Sequence, residues 1–191
     1  MKEKFINKII NDFKESQIDW KVIIAFIPIA FMTYLFHEFG HWTFGELLGN
    51  EMTLSLNNSA PQNGFFIDDS GALWSAMGGP FFTILQGLVF LFLTWMTKSI
   101  YAYSITFFAV FSRFFSIIFG GIDLQDEARI AAMLDWNKYL VASIVLTILF
   151  LILWKSNRIM KLKMKTIGNF TVLGVFAILI VIGVNELILI K

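Results

Sequence analysis

The sequence predicts an all-α integral membrane protein of about five transmembrane helices, with a short membrane-associated β-hairpin between the first two. Three observations carry that prediction. Of 191 residues, 57% are hydrophobic and 22 are Phe, with a mean hydropathy of +0.71, more apolar surface than a soluble fold of this size can bury. The apolar residues gather into five runs over 22–48, 72–96, 100–119, 139–154 and 170–190, most near the ~20 residues that a bilayer requires. Between the first two runs, residues 49–71 alternate in polarity and carry turn residues.

Residues 1–21 place Phe5, Ile6, Ile9, Ile10 and Phe13 at helical spacing among lysines. They read as an amphipathic helix, lying either on an anionic membrane surface or against the protein's own membrane domain. A signal peptide is not expected, because the apolar run that follows is too long and lacks a small-residue cleavage site. Residues 22–191 form the single transmembrane domain. The fourth run is short for a span.

The basic residues orient the spans. Lys2, Lys4, Lys8, Lys14 and Lys21, then Lys98, then the basic stretch from Lys155 to Lys165 all fall on one side if the five runs cross; residues 49–71 on the other side have neither Lys nor Arg. The N-terminus is therefore expected in the cytoplasm. A net charge of +1 says nothing about nucleic acid, and no basic face or stacking platform suggests it as a partner.

The first span contains His37-Glu38-Phe39-Gly40-His41, an H-E-x-x-H set holding both histidines of the chain. Residues four apart share a helix face, so the two imidazoles can converge on one metal with Glu38 beside them. Zinc suits such ligands, and a carboxylate beside a zinc-activated water is the arrangement of a hydrolase, with Glu38 as general base. Ionisable groups at membrane depth are costly and mark function by default. His37 lies about 22 Å along the helix from Val22, towards the outer face.

A third ligand is needed, and the chain has no Cys. Asp123, Asp126 and Glu127, after the third span, lie at the right depth; the residue opening the next helical segment is preferred, which leaves Asp123 and Asp126 unresolved, with Glu46 and Glu51 weaker. In the third span, Arg113 needs a partner, either a carboxylate such as Glu46 or Asp123 or the oxyanion formed in hydrolysis. Gly78-Gly79-Pro80 favours close helix packing, and Thr83 or Gln86 can face the site. Met52–Leu56 and Phe65–Ile67 read as the two strands of a hairpin folded over the site, whose Thr53, Ser55 and Asn57 can hold an extended peptide.

The chain resembles the site-2 protease family of intramembrane zinc metalloproteases. HEFGH matches the family's zinc helix, GGPFFT resembles its G-P-x-x-N motif with Thr83 in place of Asn, and DEARIAAML resembles its D-G-x-R segment with Glu127 in place of Gly. The resemblance covers roughly residues 31–134. It implies one zinc per chain held by His37, His41 and Asp126, with Arg129 as the family's Arg, and a minimal core without PDZ or CBS domains. The expected activity is cleavage of a membrane-embedded peptide or protein substrate within the lipid bilayer. The rival expectations are an amide or ester hydrolase acting on a lipid or small molecule, and a non-catalytic metal-binding membrane protein.

Overall fold

The computed structural model describes residues 18–189. Most of the amphipathic segment expected over 1–21 lies outside them. The described chain runs α1 (Trp20–Leu47), β1 (Met52–Ser55), β2 (Asn58–Pro61), α2 (Asp69–Thr97), α3 (Ile100–Phe119), a 3-10 turn (Ile122–Leu124), α4 (Asp126–Met133), α5 (Lys138–Met160) and α6 (Met164–Leu189). Every helix but α4 is long and apolar enough to cross a membrane. The protein is thus an all-α bundle of five candidate spans with a two-stranded antiparallel hairpin between the first two.

Local chemistry sets the ends of these helices. Asp19 Oδ1 accepts from Val22 N at 2.9 Å and caps α1, so the first span begins inside the range assigned to the N-terminal segment. Asp68 Oδ1 caps α2 in the same way, at 2.6 Å from Gly71 N. Lys98 and Lys161 take left-handed φ values of 54° and 52° and terminate α2 and α5. The fourth span is longer than its apolar run suggests. The helix continues past Trp154 to Met160 because Ser156 is buried and Asn157 Oδ1 accepts from Tyr103 Oη at 2.7 Å. Likewise α6 opens at Met164, not at 170, with Thr166 buried. Hydropathy finds the apolar stretch of a helix; tertiary contacts decide where the helix stops.

The main core joins α1, α3 and α6 through Phe26, Tyr103, Phe107, Phe108 and Phe170, all buried. Phe26 meets Phe108 edge-on, with ring centroids 5.6 Å apart, and Tyr103 meets Phe170 at 5.1 Å, geometries worth about 0.5–1.5 kcal/mol beyond area burial. This aromatic layer fixes the rotation of α3, whose buried face carries Val110, Arg113 and Ile117 at i, i+3 and i+7. Arg113 is thereby turned into the bundle.

The hairpin is tied to the end of α1. Glu46 Oε1 accepts from Met52 N at 2.9 Å, and Met52 is buried against Gly45, where a Cβ would stand 2.7 Å from Met52 Cγ. Glu46 is an anchor for the hairpin and does not bond Arg113. Asn50 Oδ1 accepts from Ile67 N at 2.8 Å, which holds the following segment at the helix end. Phe65–Ile67 is consequently not the second strand, as the alternation predicted; β2 is Asn58–Pro61, paired Thr53 to Ala60 and Leu54 to Ser59. Gln62 N donates to Glu51 O at 2.8 Å, which makes 51–62 a hydrogen-bonded pair and, by alternation, leaves Leu54–Ser59 a non-bonded one with Cα atoms about 4.5 Å apart.

That spacing suits a disulfide. In this cysteine-free chain, Leu54→Cys with Ser59→Cys is expected to oxidise to a cross-linked hairpin, while Leu54→Cys with Phe65→Cys remains reduced; a gel-mobility assay after mild oxidation decides between the two registers.

Candidate metal centre

The site begins with a close approach of two backbones. Gly40 of α1 packs on Gly78 of α2, where a Cβ on Gly40 would stand 2.7 Å from Gly78 C, and a Cβ on Gly79 would stand 2.6 Å from His37 Nε2. Residues 75 and 83 lie one turn to either side of Gly79 on the same face of α2. Because α2 runs antiparallel to α1, Ser75 meets His41 and Thr83 meets His37. His41 Nδ1 donates to Ser75 O at 2.7 Å, and His37 Nδ1 lies 2.8 Å from Thr83 Oγ1, whose own hydroxyl donates to Gly79 O at 3.0 Å.

These partners settle the tautomers. Ser75 O can only accept, and Thr83 Oγ1 has already given its proton to Gly79 O, so both imidazoles carry hydrogen on Nδ1. Both Nε2 lone pairs therefore point inward when the rings are neutral. They face each other at 3.2 Å, and Asp126 Oδ2 lies 3.1 Å from His37 Nε2 and 3.3 Å from His41 Nε2. Three acceptors at that separation repel unless a cation lies among them. Ligands at ~2.0–2.1 Å from a tetrahedral zinc stand about 3.3 Å from one another, which is the triangle these atoms make. The residues present fit a metal ion.

Glu38 completes the cluster. One carboxylate oxygen of Glu38 and one ring nitrogen from each of His37 and His41 lie within 4.8 Å of one another, so His37, Glu38 and His41 form a group that could hold a metal. Glu38 is buried, accepts no hydrogen bond from the described residues and faces the cavity in front of the triangle. Asp126 lies closer to both Nε2 atoms than that limit, which leaves Glu38 the free carboxylate.

Asp126 opens α4 and is reached from two sides. Arg113 Nη2 donates to Oδ2 at 2.9 Å, and Arg129 Nη2 approaches Oδ1 at 3.4 Å. Burial works against its charge; the contacts with His37 and His41 and the charge of Arg113 outweigh it and hold this carboxyl well below the usual range. The carboxylate stays anionic. Arg113 is itself clamped by Glu127, a fully buried residue, through Nε to Oε1 at 2.7 Å and Nη2 to Oε2.

The other predicted residues divide. Asp123 is 72% exposed and pairs with Lys138 at 2.9 Å, turned away from the histidines because the 3-10 turn intervenes before α4 begins. It bonds neither the histidines nor Arg113. Thr53 and Ser55 donate across the hairpin to Ala60 O and Asn58 O, both at 2.9 Å, and do not line the cavity. Asn57 does line it, together with Asn58 and Ser59, which the sequence did not single out. Gln86 donates to Thr33 Oγ1 at 3.0 Å and stands outside the cavity that Thr83 lines.

The cavity holds about 370 Å³ between α1, α3, α4 and the hairpin tip. Its walls are polar, with Thr33, Ser112, Ser116 and Gln125 joining the residues above. Ser59 also presents its backbone N–H and C=O away from β1, since it belongs to the non-bonded pair, so the cavity has a strand edge beside it. Comparisons with protein-family models, with curated proteins and with solved structures each found no match.

Outer-shell partners of ligating histidines typically carry 10–100-fold in metal affinity. Thr83→Val keeps the volume but leaves His37 Nδ1–H unpaired and is expected to weaken metal binding by about that factor. Gly79→Ala drives a methyl into both rings and is expected to abolish binding. Metal titration of the purified variants checks both; wild-type affinity in Gly79→Ala would contradict the packing described.

Proposed function

We propose that this chain is an intramembrane zinc endopeptidase of the site-2 protease type, acting on a transmembrane or signal-type segment. The observation that carries the reading is the convergence of His37 Nε2, His41 Nε2 and Asp126 Oδ2, each within 3.1–3.3 Å of the others, with Glu38 free at the edge of the same cavity. His37, His41 and Asp126 would hold the ion. Zinc bound there would lower the pKa of a water towards ~7 and polarise a carbonyl.

The residues of the chain supply the rest. Glu38 accepts the proton as a water oxygen adds to the scissile carbonyl carbon, and returns it to the amine nitrogen as the C–N bond breaks. One water is consumed, leaving a carboxylic acid and an amine. A helical substrate hides its carbonyls in its own hydrogen bonds, so it must be extended before attack. The free edge at Ser59 offers one donor and one acceptor to such an extended segment, next to the side chains of Asn57 and Asn58. The same lining argues against an acyl chain as the occupant of this cavity, because hydrocarbon would leave those polar groups unpaired. Glu38, placed where a proton acceptor is needed and otherwise unbonded, argues against a site that only stores metal.

The basic residues support an N-terminus in the cytoplasm and a site towards the outer face. On that orientation, the hairpin covers the cavity from the outside.

Two measurements test the reading. Wild-type protein is expected to bind about one zinc, retained in Asp123→Ala and Glu38→Gln and lost in His37→Ala and Asp126→Ala. Glu38→Gln is expected to abolish cleavage of reporter fusions carrying transmembrane segments in proteoliposomes. Full activity in that variant would remove Glu38 from the chemistry, and a zinc-free wild type would end the hydrolase reading altogether.

A further inference from the structure

Arg113 is the least economical residue of the bundle, a cation set within a span and 8% exposed. Its five N–H groups are not all used. Nε donates to Glu127, and Nη2 donates to Glu127 and to Asp126. Nη1 has no partner among the described residues. The cavity that Arg113 lines is the one that Glu38 and both histidines line. Nε and Nη2 are thus held by two carboxylates, and the guanidinium borders the cavity that holds Glu38 and both histidines.

We propose that Arg113 Nη1 is the donor for the substrate's carbonyl oxygen, so that this part of the cavity is an oxyanion site built from Arg113 and braced by Glu127. The inference rests on the hydrolase reading above and adds to it the group that binds the developing charge. As water adds, the carbonyl π pair moves on to oxygen; Nη1 receives that charge by hydrogen bond, and the pair returns to carbon when the C–N bond breaks. A donor fixed in place before the reaction costs no reorganisation, which is why such donors matter in low-dielectric sites. Glu127 serves as a positioning residue. Its bidentate hold fixes both the tilt of the guanidinium and its rotation, which a lysine at 113 could not reproduce.

The experiment separates a binding role from a merely structural pair. Replacing a buried ion pair by apolar residues of similar volume is often tolerated, whereas removing one partner is not. Arg113→Met together with Glu127→Met removes the guanidinium at unchanged net charge, and its cobalt uptake and imidazole binding report whether the metal centre survives the exchange. Wild-type and double-variant proteins are loaded with cobalt(II), and the visible spectrum is titrated with inorganic phosphate, a tetrahedral oxyanion, and with imidazole, a neutral ligand that needs only the metal. Phosphate is expected to bind the double variant at least tenfold more weakly, with imidazole unchanged within about twofold; turnover, where a substrate is in hand, is expected to fall by about 10²–10³ in kcat, the usual loss for one oxyanion donor. Glu127→Gln alone, which keeps Arg113 but loosens its brace, is expected to give an intermediate phosphate affinity. Equal phosphate affinity in wild type and the double variant overturns the role of Arg113 and leaves the metal centre and the hydrolase reading standing. A wild-type protein that takes up no metal overturns that reading, and this inference with it.

Discussion

The close approach of α1 and α2 at Gly40, Gly78 and Gly79 is the constraint on which the site depends. Any side chain at these positions would separate the helices, and the separation would be felt first at Nδ1 of each histidine. With the backbones touching, one turn of α2 delivers a carbonyl to His41 and the next a hydroxyl to His37. The rings are then fixed in rotation and in tautomer, and both Nε2 atoms present lone pairs to the same point. Small residues in membrane helices are usually credited with packing alone. Here the packing is what turns two imidazoles towards one point.

The second requirement is a charge balance that works without water. Burying an ion costs several kcal/mol even after relaxation, and is tolerated only where geometry and hydrogen bonding compensate. Arg113 sits between Glu127 and Asp126, and Arg129 approaches Asp126 from the surface. Two carboxylates beside the histidines would repel each other were Arg113 absent. With it, Glu127 is neutralised within the pair, and Asp126 keeps one oxygen aimed at both Nε2 atoms. Helix α4 buries Ala128, Ile130 and Ala131, and these bonds tie its first turn to α3.

Much of this was legible in the sequence, and the parts that were not share a cause. Five spans and the H-E-x-x-H helix follow from periodicity and composition, which are local. The register at Asp126 came from resemblance, since depth and capping alone left it level with Asp123; what separates them is the 3-10 turn that points Asp123 to Lys138. Arg113 and Glu127 each looked anomalous by themselves, one as a cation in a span and the other as a carboxylate in place of glycine. They are one feature, invisible until α3 and α4 are brought together. Ser75 contributes through its backbone carbonyl, which no side-chain pattern announces. The hairpin was predicted with its second strand too late in the chain because Phe65–Ile67 has β-prone residues, whereas Asn58–Pro61 has few and is paired by proximity across a two-residue connection.

A polar cavity inside an apolar bundle also constrains what enters it. Peptide groups in hydrocarbon must satisfy themselves, which is why a spanning segment is helical and resists hydrolysis. The segment can unwind only where its freed N–H and C=O groups find other partners. Between the C-terminal end of α1 and α4, the chain provides them: the Ser59 edge for backbone, and the hydroxyls and amides of Thr33, Ser112, Ser116 and Asn58 for water or side chains. Unwinding is thus least costly next to the histidines and costly everywhere else along the span. On the proposed function, the position of cleavage would follow from where a substrate can lose its helix, so residues of weak helix propensity at the depth of His37 would be favoured over any particular side chain.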